Sequence, residues 1–301
     1  MNLHQLRIFL TIARCGSFTR AAEELHLSQP ALSLHIKELE DELGLVLLDR
    51  LGKRVQITCA GHLLEEYAHR IFALMREAEE AMNELKGLRR GRLVIGASTT
   101  PGTYLLPGVL GEFQRRFPGI ELSLEIANTR QIEGQVLRNE LDLGVVGGVI
   151  TDRERLVIES YVPDELVLIV SPSHSFVKKG KVTLEALKDE PFIIREEGSA
   201  SRKVMEKGLK EKGIEIKRPL KLGNTEAIKR AVAEGLGISF VSRHTITHEL
   251  KAGLLCKIKV DGLTLKRQLN VIYHKDKRLP HVARAFLDLL HAMTQKIDVE
   301  R

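Results

Sequence analysis

The stretch SFTRAAEELHLSQPALSLHIKELEDELG, residues 17–44, decides how the first part of the chain folds. Apolar residues recur there every three or four positions in two successive runs: first Ala21, Ala22 and Leu25, then Leu32, Ile36, Leu39 and Leu43. This spacing predicts two amphipathic helices, each with one face to bury. Ser17 and Ser28 stand where the helices should start, and a serine side chain there accepts a hydrogen bond from a first-turn N–H. Only residues 26–28 are left to separate the helices.

The predicted start of the second helix presents a short polar surface beside its buried face. At about 100° per residue, that surface holds Gln29, Pro30, Ser33, Leu34 and Lys37. Alanines at the elbow let two helices cross closely, as in helix-turn-helix units whose second helix enters the DNA major groove. Gln29 could then pair with adenine, Ser33 could donate or accept a hydrogen bond, and Leu34 could contact a thymine methyl group. An ordinary helical hairpin is the alternative explanation of the same pattern.

Basic residues cluster just after the helix pair, in LLDRLGKRVQIT, residues 47–58. Arg50, Lys53 and Arg54 surround Gly52, which suits the tip of a β-hairpin wing that grips phosphates. A solvated turn is the alternative. The overall net charge of +6 is no evidence for DNA binding, because residues 1–92 contain 13 Lys plus Arg and 13 Asp plus Glu. The local placement of charge therefore carries the prediction.

Residues 62–88 are predicted to form one long helix with a single apolar stripe. The stripe consists of Leu64, Tyr67, Ala68, Ile71, Met75, Ala78, Met82 and Leu85. At 1.5 Å per residue the helix would be about 40 Å long, and no neighbouring segment of similar length could cover it. A second copy of the chain is the expected partner, which favours a dimer over a long core helix in a monomer. The segment GLRRGRL, residues 87–93, follows as a hinge.

From residue 92 onward, apolar strands alternate with helical patterns. Strands are predicted at residues 92–97, 120–127, 141–148, 165–171, 192–195, 219–223, 237–242 and 269–275. Helices are predicted at residues 129–140, 201–212, 226–234 and 280–295, after a helical face at 105–113. The alternation predicts an α/β fold with parallel sheets and right-handed crossovers. Two lobes, joined by crossing strands near residues 160–165 and 262–269 and separated by a cleft, account for it most simply.

Hydroxyl and amide side chains follow several predicted strands, at the positions where ligands bind in open parallel sheets. They are Ser98, Thr99, Thr100, Asn128, Thr129, Ser199, Ser201, Asn224 and Thr225. Each is also a preferred helix N-cap residue, so capping alone would explain any one of them. Their convergence on one cleft, near Arg130, Arg195 and Arg202, predicts a site for a carboxylate, a phosphate or a sulfur oxyanion. The residues predicted to bind this effector are Ser98, Thr99, Thr100, Thr129, Ser199, Ser201, Arg202 and Thr225.

Signals for catalysis and for a cofactor are missing from the sequence. It contains no GxSxG, no P-loop, no GxGxxG after a strand and no HExxH, so we predict that the protein is not an enzyme. His244 and His248 could face one metal ion, but without an evident third ligand they are better explained as surface histidines. The cysteines show no CxxC spacing, which argues against a disulfide framework or a zinc site.

Signals for membrane insertion are missing as well. No window of 18 or more apolar residues occurs, and Arg7 and Arg14 interrupt the apolar N-terminal segment. We therefore predict neither a membrane span nor a signal peptide, and we expect a cytoplasmic protein.

The segment from residue 3 to residue 64 resembles a known family. AAEELHLSQPALSLHIKELEDELG and LLDRLGKRVQITCAGHLL resemble the winged helix-turn-helix of LysR-type transcriptional regulators, and the later lobes resemble that family's periplasmic-binding-protein-like effector domain. The resemblance implies that residues 29, 30 and 33 read DNA, that residues 50 and 54 lie at the wing, and that the helix at 62–88 dimerises. It places Ser98, Thr99, Thr100 and Thr129 where the family holds its co-inducer.

Three positions depart from the family pattern. Leu48 stands where Phe is more frequent, Cys59 where an acidic residue or proline is common, and Leu34 where many members carry Arg. The stretch GASTTPGTYLLP, residues 96–107, is similar to members that control sulfur assimilation or carbon fixation. Because Leu34 replaces the Arg of many members, the operator sequence does not carry over from another member.

The domain prediction that follows is a winged helix-turn-helix at residues 1–61, a linker helix and hinge at 62–91, and an effector domain at 92–301. Lobe I would take residues of about 92–162 and 266–301, and lobe II about 163–265. We predict a regulator that binds a dyad-symmetric double-stranded operator, forms a homodimer and then a homotetramer, and contacts RNA polymerase. A small anionic metabolite would modulate DNA binding and bending. A transport-type binding protein with an appended helical head and an α/β enzyme are the alternatives.

Overall fold

The computed structural model describes residues 1–51, 54–84 and 91–299, and the chain divides into two units, residues 1–79 and 80–301. The first unit begins with α1 (Leu3–Cys15), α2 (Phe18–Leu25) and α3 (Gln29–Leu43). Ser17 accepts from the Arg20 N–H and Ser28 from the Ala31 N–H, which confirms both predicted caps and the short break between the helices. The sequence analysis did not predict α1, which starts in a capping box between Asn2 and Gln5.

A hairpin follows the three helices, as predicted. Strands β1 (Leu48–Leu51) and β2 (Arg54–Ile57) pair antiparallel, with Leu51 opposite Arg54. Residues 52 and 53 between them lie outside the described residues. One apolar core holds this unit together; it includes Ile8, Phe9, Ile12, Phe18, Ala21, Leu32, Ile36, Leu39, Leu47 and Leu48. Leu48, which departs from the family pattern, is thus a core residue beneath the wing.

The long helix α4 (Cys59–Glu84) starts three residues earlier than predicted. The Thr58 hydroxyl accepts from the Gly61 N–H at 3.0 Å, which fixes the first turn. Gly61 is required there, because a Cβ at this position would lie 2.2 Å from the Leu47 carbonyl oxygen. The predicted end, at residues 85–88, falls outside the described residues.

The apolar residues of α4 divide between two faces. Ala68 is fully buried and Leu64 is partly buried. Leu63, Tyr67, Leu74 and Met82 are each more than half exposed. The exposed set lies at spacings of four, seven and eight residues, so it forms one stripe along the helix.

The second unit is built on an eight-stranded sheet. Its strands are β3 (Gly91–Ser98), β4 (Ile120–Ala127), β5 (Leu143–Gly147), β6 (Leu156–Val170), β7 (Lys181–Val182), β10 (Ser239–Ser242), β11 (Cys256–Val260) and β12 (Leu265–His274). Their order is β4-β3-β5-β12-β6-β11-β7, and β10 also pairs with β6. The remaining strands, β8 (Ile193–Arg195) and β9 (Leu220–Leu222), form a separate parallel pair.

The predicted parallel arrangement is only partly correct. Strands β3, β4 and β5 are parallel, but β12 runs antiparallel to both β5 and β6. Of the expected crossing segments, residues 160–165 lie in β6 and residues 265–269 lie in β12. These strands are 15 and 10 residues long and pair along the whole length of β12. Because the chain passes between the lobes twice in opposite directions, the shared strands must be antiparallel.

Helices cover the two lobes. Lobe I carries α5 (Thr99–Tyr104), α6 (Leu106–Arg116), α7 (Thr129–Leu137) and α12 (His281–Val299); lobe II carries α8 (Ser175–Lys179), α9 (Ala200–Glu211), α10 (Thr225–Ala233) and α11 (Thr247–Lys251). Phe113 and Phe286 meet edge to face in the core of lobe I, and Phe192 and Phe240 belong to the core of lobe II. None of the described helices is long and apolar enough to cross a membrane.

Candidate functional site

One face of the N-terminal half of α3 is exposed, as a DNA-reading helix requires. Gln29, Pro30, Leu34 and Lys37 are exposed and Ser33 is half-buried, while Leu32, Ile36 and Leu39 on the opposite side are buried in the core. The predicted division of this helix into a core face and a solvent-facing side is therefore present. Arg50 and Arg54 occupy positions on β1 and β2, and Lys53 lies outside the described residues.

In the second unit, hydroxyl side chains from both lobes meet around one small cavity. Its lining consists of Ser98, Thr99, Thr100, Asn128, Thr129, Arg195, Ser199, Ala200, Ser201 and Arg267. Six of the eight predicted effector residues are in this set, and a seventh, Thr225, binds Arg195 at its edge. The cavity has about 10 Å³ of space, which is roughly the size of one water molecule.

Capping and ligand contact were competing explanations for these residues, and the geometry separates them. Asn128 accepts from the Gln131 N–H and Asn224 from the Ala227 N–H, so both cap their helices. Ser98 and Ser199 stand at the starts of α5 and α9 but make no capping bond with their side chains. The two asparagines are thus structural, whereas the two buried serine hydroxyls are not used as caps.

Arg267 on β12 is the residue of this site that the sequence analysis missed. Its guanidinium donates to Thr100 Oγ1 in lobe I at 3.1 Å and to Ser201 Oγ in lobe II at 2.9 Å. Its Nε donates to Asp164 at 2.7 Å. Burial lowers the pKa of Arg267, and the charge of Asp164 opposes that shift. One buried cation therefore joins both lobes to the shared strands.

Arg195, at the end of β8, bridges the lobes in the same way. It donates to Thr99 Oγ1 in lobe I at 3.1 Å and to Thr225 Oγ1 in lobe II at 2.9 Å. The Glu196 carboxylate accepts from its Nε and Nη2 at 2.7 and 2.9 Å. Both arginines thus point toward the hydroxyl cluster and have hydroxyl acceptors in each lobe.

Two of the predicted residues have other partners. Arg202, predicted to bind the effector, does not line the cavity, and its Nε donates to Glu206 at 2.7 Å. Arg130 reaches the other lobe through its backbone N–H, which donates to the Gly198 carbonyl oxygen at 3.4 Å, while its side chain is mostly exposed. Neither guanidinium joins Arg195 and Arg267 at the cavity.

A second cavity, of about 530 Å³, opens beside the first and shares Thr99, Asn128 and Arg195 with it. At its rim the Tyr104 hydroxyl of lobe I donates to Glu226 of lobe II. Burial and this bond raise the pKa of Tyr104 to about 12. Burial alone would lower the pKa of the neighbouring Lys229, but bonds to Glu226, Glu249 and Tyr104 outweigh it and raise that pKa.

Of the two histidines predicted to lie at the surface, only His248 does. His248 is exposed, but the His244 side chain is 5% exposed and lies 3.8 Å from Asp164, because it packs against the shared strands. Within the described residues, no cluster of His, Cys, Asp or Glu could hold a metal ion.

Two family models match the chain. One, described as a bacterial regulatory helix-turn-helix protein of the lysR family, covers residues 3–62; the other, the LysR substrate binding domain, covers residues 86–295. The chain therefore belongs to the LysR family of transcriptional regulators.

Known proteins that are similar to nearly the whole chain support this family membership. The RuBisCO operon transcriptional regulator of Allochromatium vinosum is 40% identical over 290 residues, which span 96% of this chain and 95% of that protein. A structure of the Synechocystis PCC6803 CcmR regulatory domain in complex with 2-PG is 35% identical, with a TM-score of 0.64, over 68% of this chain and 98% of that one. Full-length CbnR complexed with its target DNA is 25% identical, with a TM-score of 0.66, over 97% and 99% of the two chains.

Proposed function

We propose that this LysR-family regulator binds a small anion between its lobes and that the anion alters how the protein binds and bends its operator. The observation that carries the proposal is the pair of buried arginines, Arg195 and Arg267, which point toward one hydroxyl cluster. Their hydroxyl acceptors are neutral. Oxygen atoms of a carboxylate or phosphate are stronger acceptors for a guanidinium, and they match its fork geometry.

The surroundings of the arginines also favour an anion. The Ser98 and Ser199 hydroxyls are not used as caps and can donate to anionic oxygens. The helices α7 and α9 begin at this cavity, and helix N-termini favour negative charge. The small cavity cannot hold an organic anion in addition to the present side chains, so a ligand must displace protein acceptors and extend toward the 530 Å³ cavity beside it.

Binding at this place would change the balance between lobe arrangements. Each arginine joins lobe I to lobe II through hydroxyls, and an anion bound to the same guanidinium groups would change how strongly those bonds hold the lobes together. A ligand shifts such an equilibrium only by its difference in affinity for the two states. This difference would be the source of coupling between the effector and the DNA-binding unit.

For DNA we propose base reading by Gln29, Pro30, Ser33, Leu34 and Lys37 and phosphate contacts by Arg50, Lys53 and Arg54. Residues that contact phosphates set affinity and salt dependence, whereas those that contact base edges set sequence choice. The exposed stripe of Leu63, Tyr67, Leu74 and Met82 on α4 is the face that a second copy would cover, giving a homodimer that binds a dyad-symmetric operator. We extend this to a homotetramer that contacts RNA polymerase in the cytoplasm.

The relatives narrow the class of effector and target. By similarity to the Allochromatium regulator, we propose that the target genes serve carbon fixation. By similarity to CcmR, whose regulatory domain is complexed with 2-PG, we propose 2-PG or an anion of similar size as the first effector to test. The regulator itself would catalyse no reaction.

Calorimetric titration of the full chain with 2-PG, phosphate, sulfate, glycerol and putrescine tests the anion. Arg195→Gln should weaken anion binding at least about tenfold, because a hydrogen bond to a charged group is lost. Arg202→Gln is the matched control, since that guanidinium lies outside the cavity, and it should change binding less than about twofold. Binding of only neutral or cationic compounds would reject the anionic effector.

Selection of DNA from a random pool, with and without 2-PG, tests the regulator. Footprinting of the enriched site should show protection over successive helical turns, and 2-PG should change its extent or the DNA bend. If neither condition enriches a dyad-symmetric sequence, the proposed operator reading is wrong.

A further inference from the structure

We propose that Glu196 is an internal competitor of the effector: its carboxylate occupies the edge of Arg195 that an anionic ligand would bind, and so it sets the affinity of the site. The inference rests on the proposed function, because it concerns the same anion. Its basis is the bidentate contact from the Glu196 carboxylate to Nε and Nη2 of Arg195, at 2.7 and 2.9 Å. A carboxylate or phosphate ligand uses the same two parallel N–H donors.

Arg195 has little capacity left for a ligand while Glu196 is in place. Besides the two bonds to Glu196, it donates to Thr99 and Thr225, so four of its five N–H groups are used. A carboxylate or phosphate that binds through two N–H groups must therefore displace one of these acceptors. The question is which of them yields most easily.

Glu196 is the acceptor that can leave. Its side chain is 29% exposed, against 8% for Arg195, and it lines the 530 Å³ cavity, into which it can rotate and be hydrated. Thr225 is buried in the first turn of α10, and threonine is stiff at χ1. When a ligand anion replaces the Glu196 carboxylate, the buried guanidinium keeps a charged acceptor, so the exchange does not leave a buried cation uncompensated.

The direction of the effect distinguishes competition from ligand binding by Glu196. If Glu196 competes, its removal should strengthen anion binding. If Glu196 instead contacts the ligand, or only stabilises the fold, its removal should weaken binding or leave it unchanged. Glu197 provides a matched control: it is the next residue, it is 88% exposed, and its nearest cation, Arg130, is 3.9 Å away.

The test is calorimetric titration of 2-PG and of inorganic phosphate into the full-length wild type, Glu196→Gln and Glu197→Gln. Both variants remove one negative charge from adjacent positions, so long-range electrostatics change alike. Glu196→Gln should lower the Kd of 2-PG about tenfold, and Glu197→Gln should change it less than about twofold. The Glu196→Gln gain should disappear in an Arg195→Gln background, because the competed donors are then absent.

Three further outcomes keep the test decisive. If Glu196→Gln does not fold, Glu196→Asp should still strengthen binding, because a side chain shorter by one methylene holds the guanidinium edge less well. If a folded Glu196 variant binds the anion as the wild type does, or more weakly, while the wild type binds normally, the proposal that Glu196 competes is wrong. The proposal of an anionic effector then still stands. Absence of binding in the wild type and in all variants rejects the anionic effector and, with it, the competitor.

Discussion

Asp164→Asn should be among the most destabilising single changes in the effector unit. The Asp164 side chain is fully buried; it accepts from Arg267 Nε and from Ser242 Oγ, both at 2.7 Å. An asparagine can keep the Ser242 bond, but its NH₂ group then faces the N–H of Arg267. The variant leaves a buried cation without its counter-charge, which costs about 3–5 kcal/mol.

The ion pair between Asp152 and Arg155 provides an exposed control for this loss of stability in the same unit. Asp152 accepts from Arg155 Nε at 2.7 Å, but the Arg155 side chain is 54% exposed. Asp152→Asn should therefore cost less than about 1 kcal/mol. For a unit of this size, these losses of stability correspond to a fall in melting temperature of roughly 6–20 °C for Asp164→Asn and of at most a few degrees for Asp152→Asn.

Differential scanning calorimetry of the full chain measures both changes, since it can resolve the transitions of two units that do not unfold together. Adding Arg267→Met to Asp164→Asn should recover much of the loss, because a buried pair replaced by uncharged groups is often near neutral. Two results would refute the assignment of Asp164 as the counter-charge of Arg267. One is a loss of stability in Asp164→Asn that is no larger than the loss in Asp152→Asn. The other is a double variant that is less stable than Asp164→Asn alone.

Three other predictions address the caps, the DNA-reading helix and the pH dependence. Asn128→Ala should lower the unfolding free energy by about 1 kcal/mol in urea denaturation, because it removes the cap of α7. Ser98→Ala should lower it less and should instead weaken anion binding in calorimetric titration. Equal losses of stability in the two variants would contradict this division between cap and ligand residue. Gln29→Ala should relax base choice at one operator position by about 1–3 kcal/mol and leave effector binding unchanged; sequencing of selected DNA would show an unaltered preference if Gln29 reads no base. Burial and the bond to Glu159 raise the pKa of Tyr273 to about 12. The neutral hydroxyl therefore contributes its full stabilisation at pH values below the ordinary tyrosine pKa of about 10, and this contribution is lost as the pH rises through 12. Tyr273→Phe should therefore make the unfolding free energy fall less steeply over this range, and an unchanged pH profile by urea denaturation would count against it.

Local patterns were sufficient to predict the helix pair and the polar residues at the strand ends. Caps and apolar spacing act within one or two turns, so Ser17 and Ser28 could be assigned from the sequence. Ser98, Thr100, Ser199 and their neighbours were predicted because strand ends converge in an α/β sheet. The same local reasoning could not separate caps from ligand residues, because both roles use the same side chains.

Arg267 was missed because nothing local marks it. Its partners Asp164 and Thr100 are 103 and 167 positions away, and only the antiparallel pairing of β6 and β12 brings them together. The sequence analysis predicted short strands at residues 165–171 and 269–275 and crossing strands near residues 160–165 and 262–269, and it did not join them into two long paired strands. The earlier start of α4 was missed for a related reason, since Gly61 in its first turn is explained only by the Leu47 carbonyl oxygen against which it packs.

The two arginines differ in how firmly their carboxylates are held, and that difference gives them different roles. Asp164 is fully buried on a strand shared by both lobes, so it fixes Arg267 in every arrangement that keeps the sheet intact. Glu196 is partly exposed beside the larger cavity, so it can leave Arg195 when another anion arrives. An effector would then bind beside Arg267, which stays in place, and would have to displace Glu196 to bind Arg195. Because the competed cation also bonds Thr99 across the cleft, occupancy of the site and the arrangement of the lobes would change together.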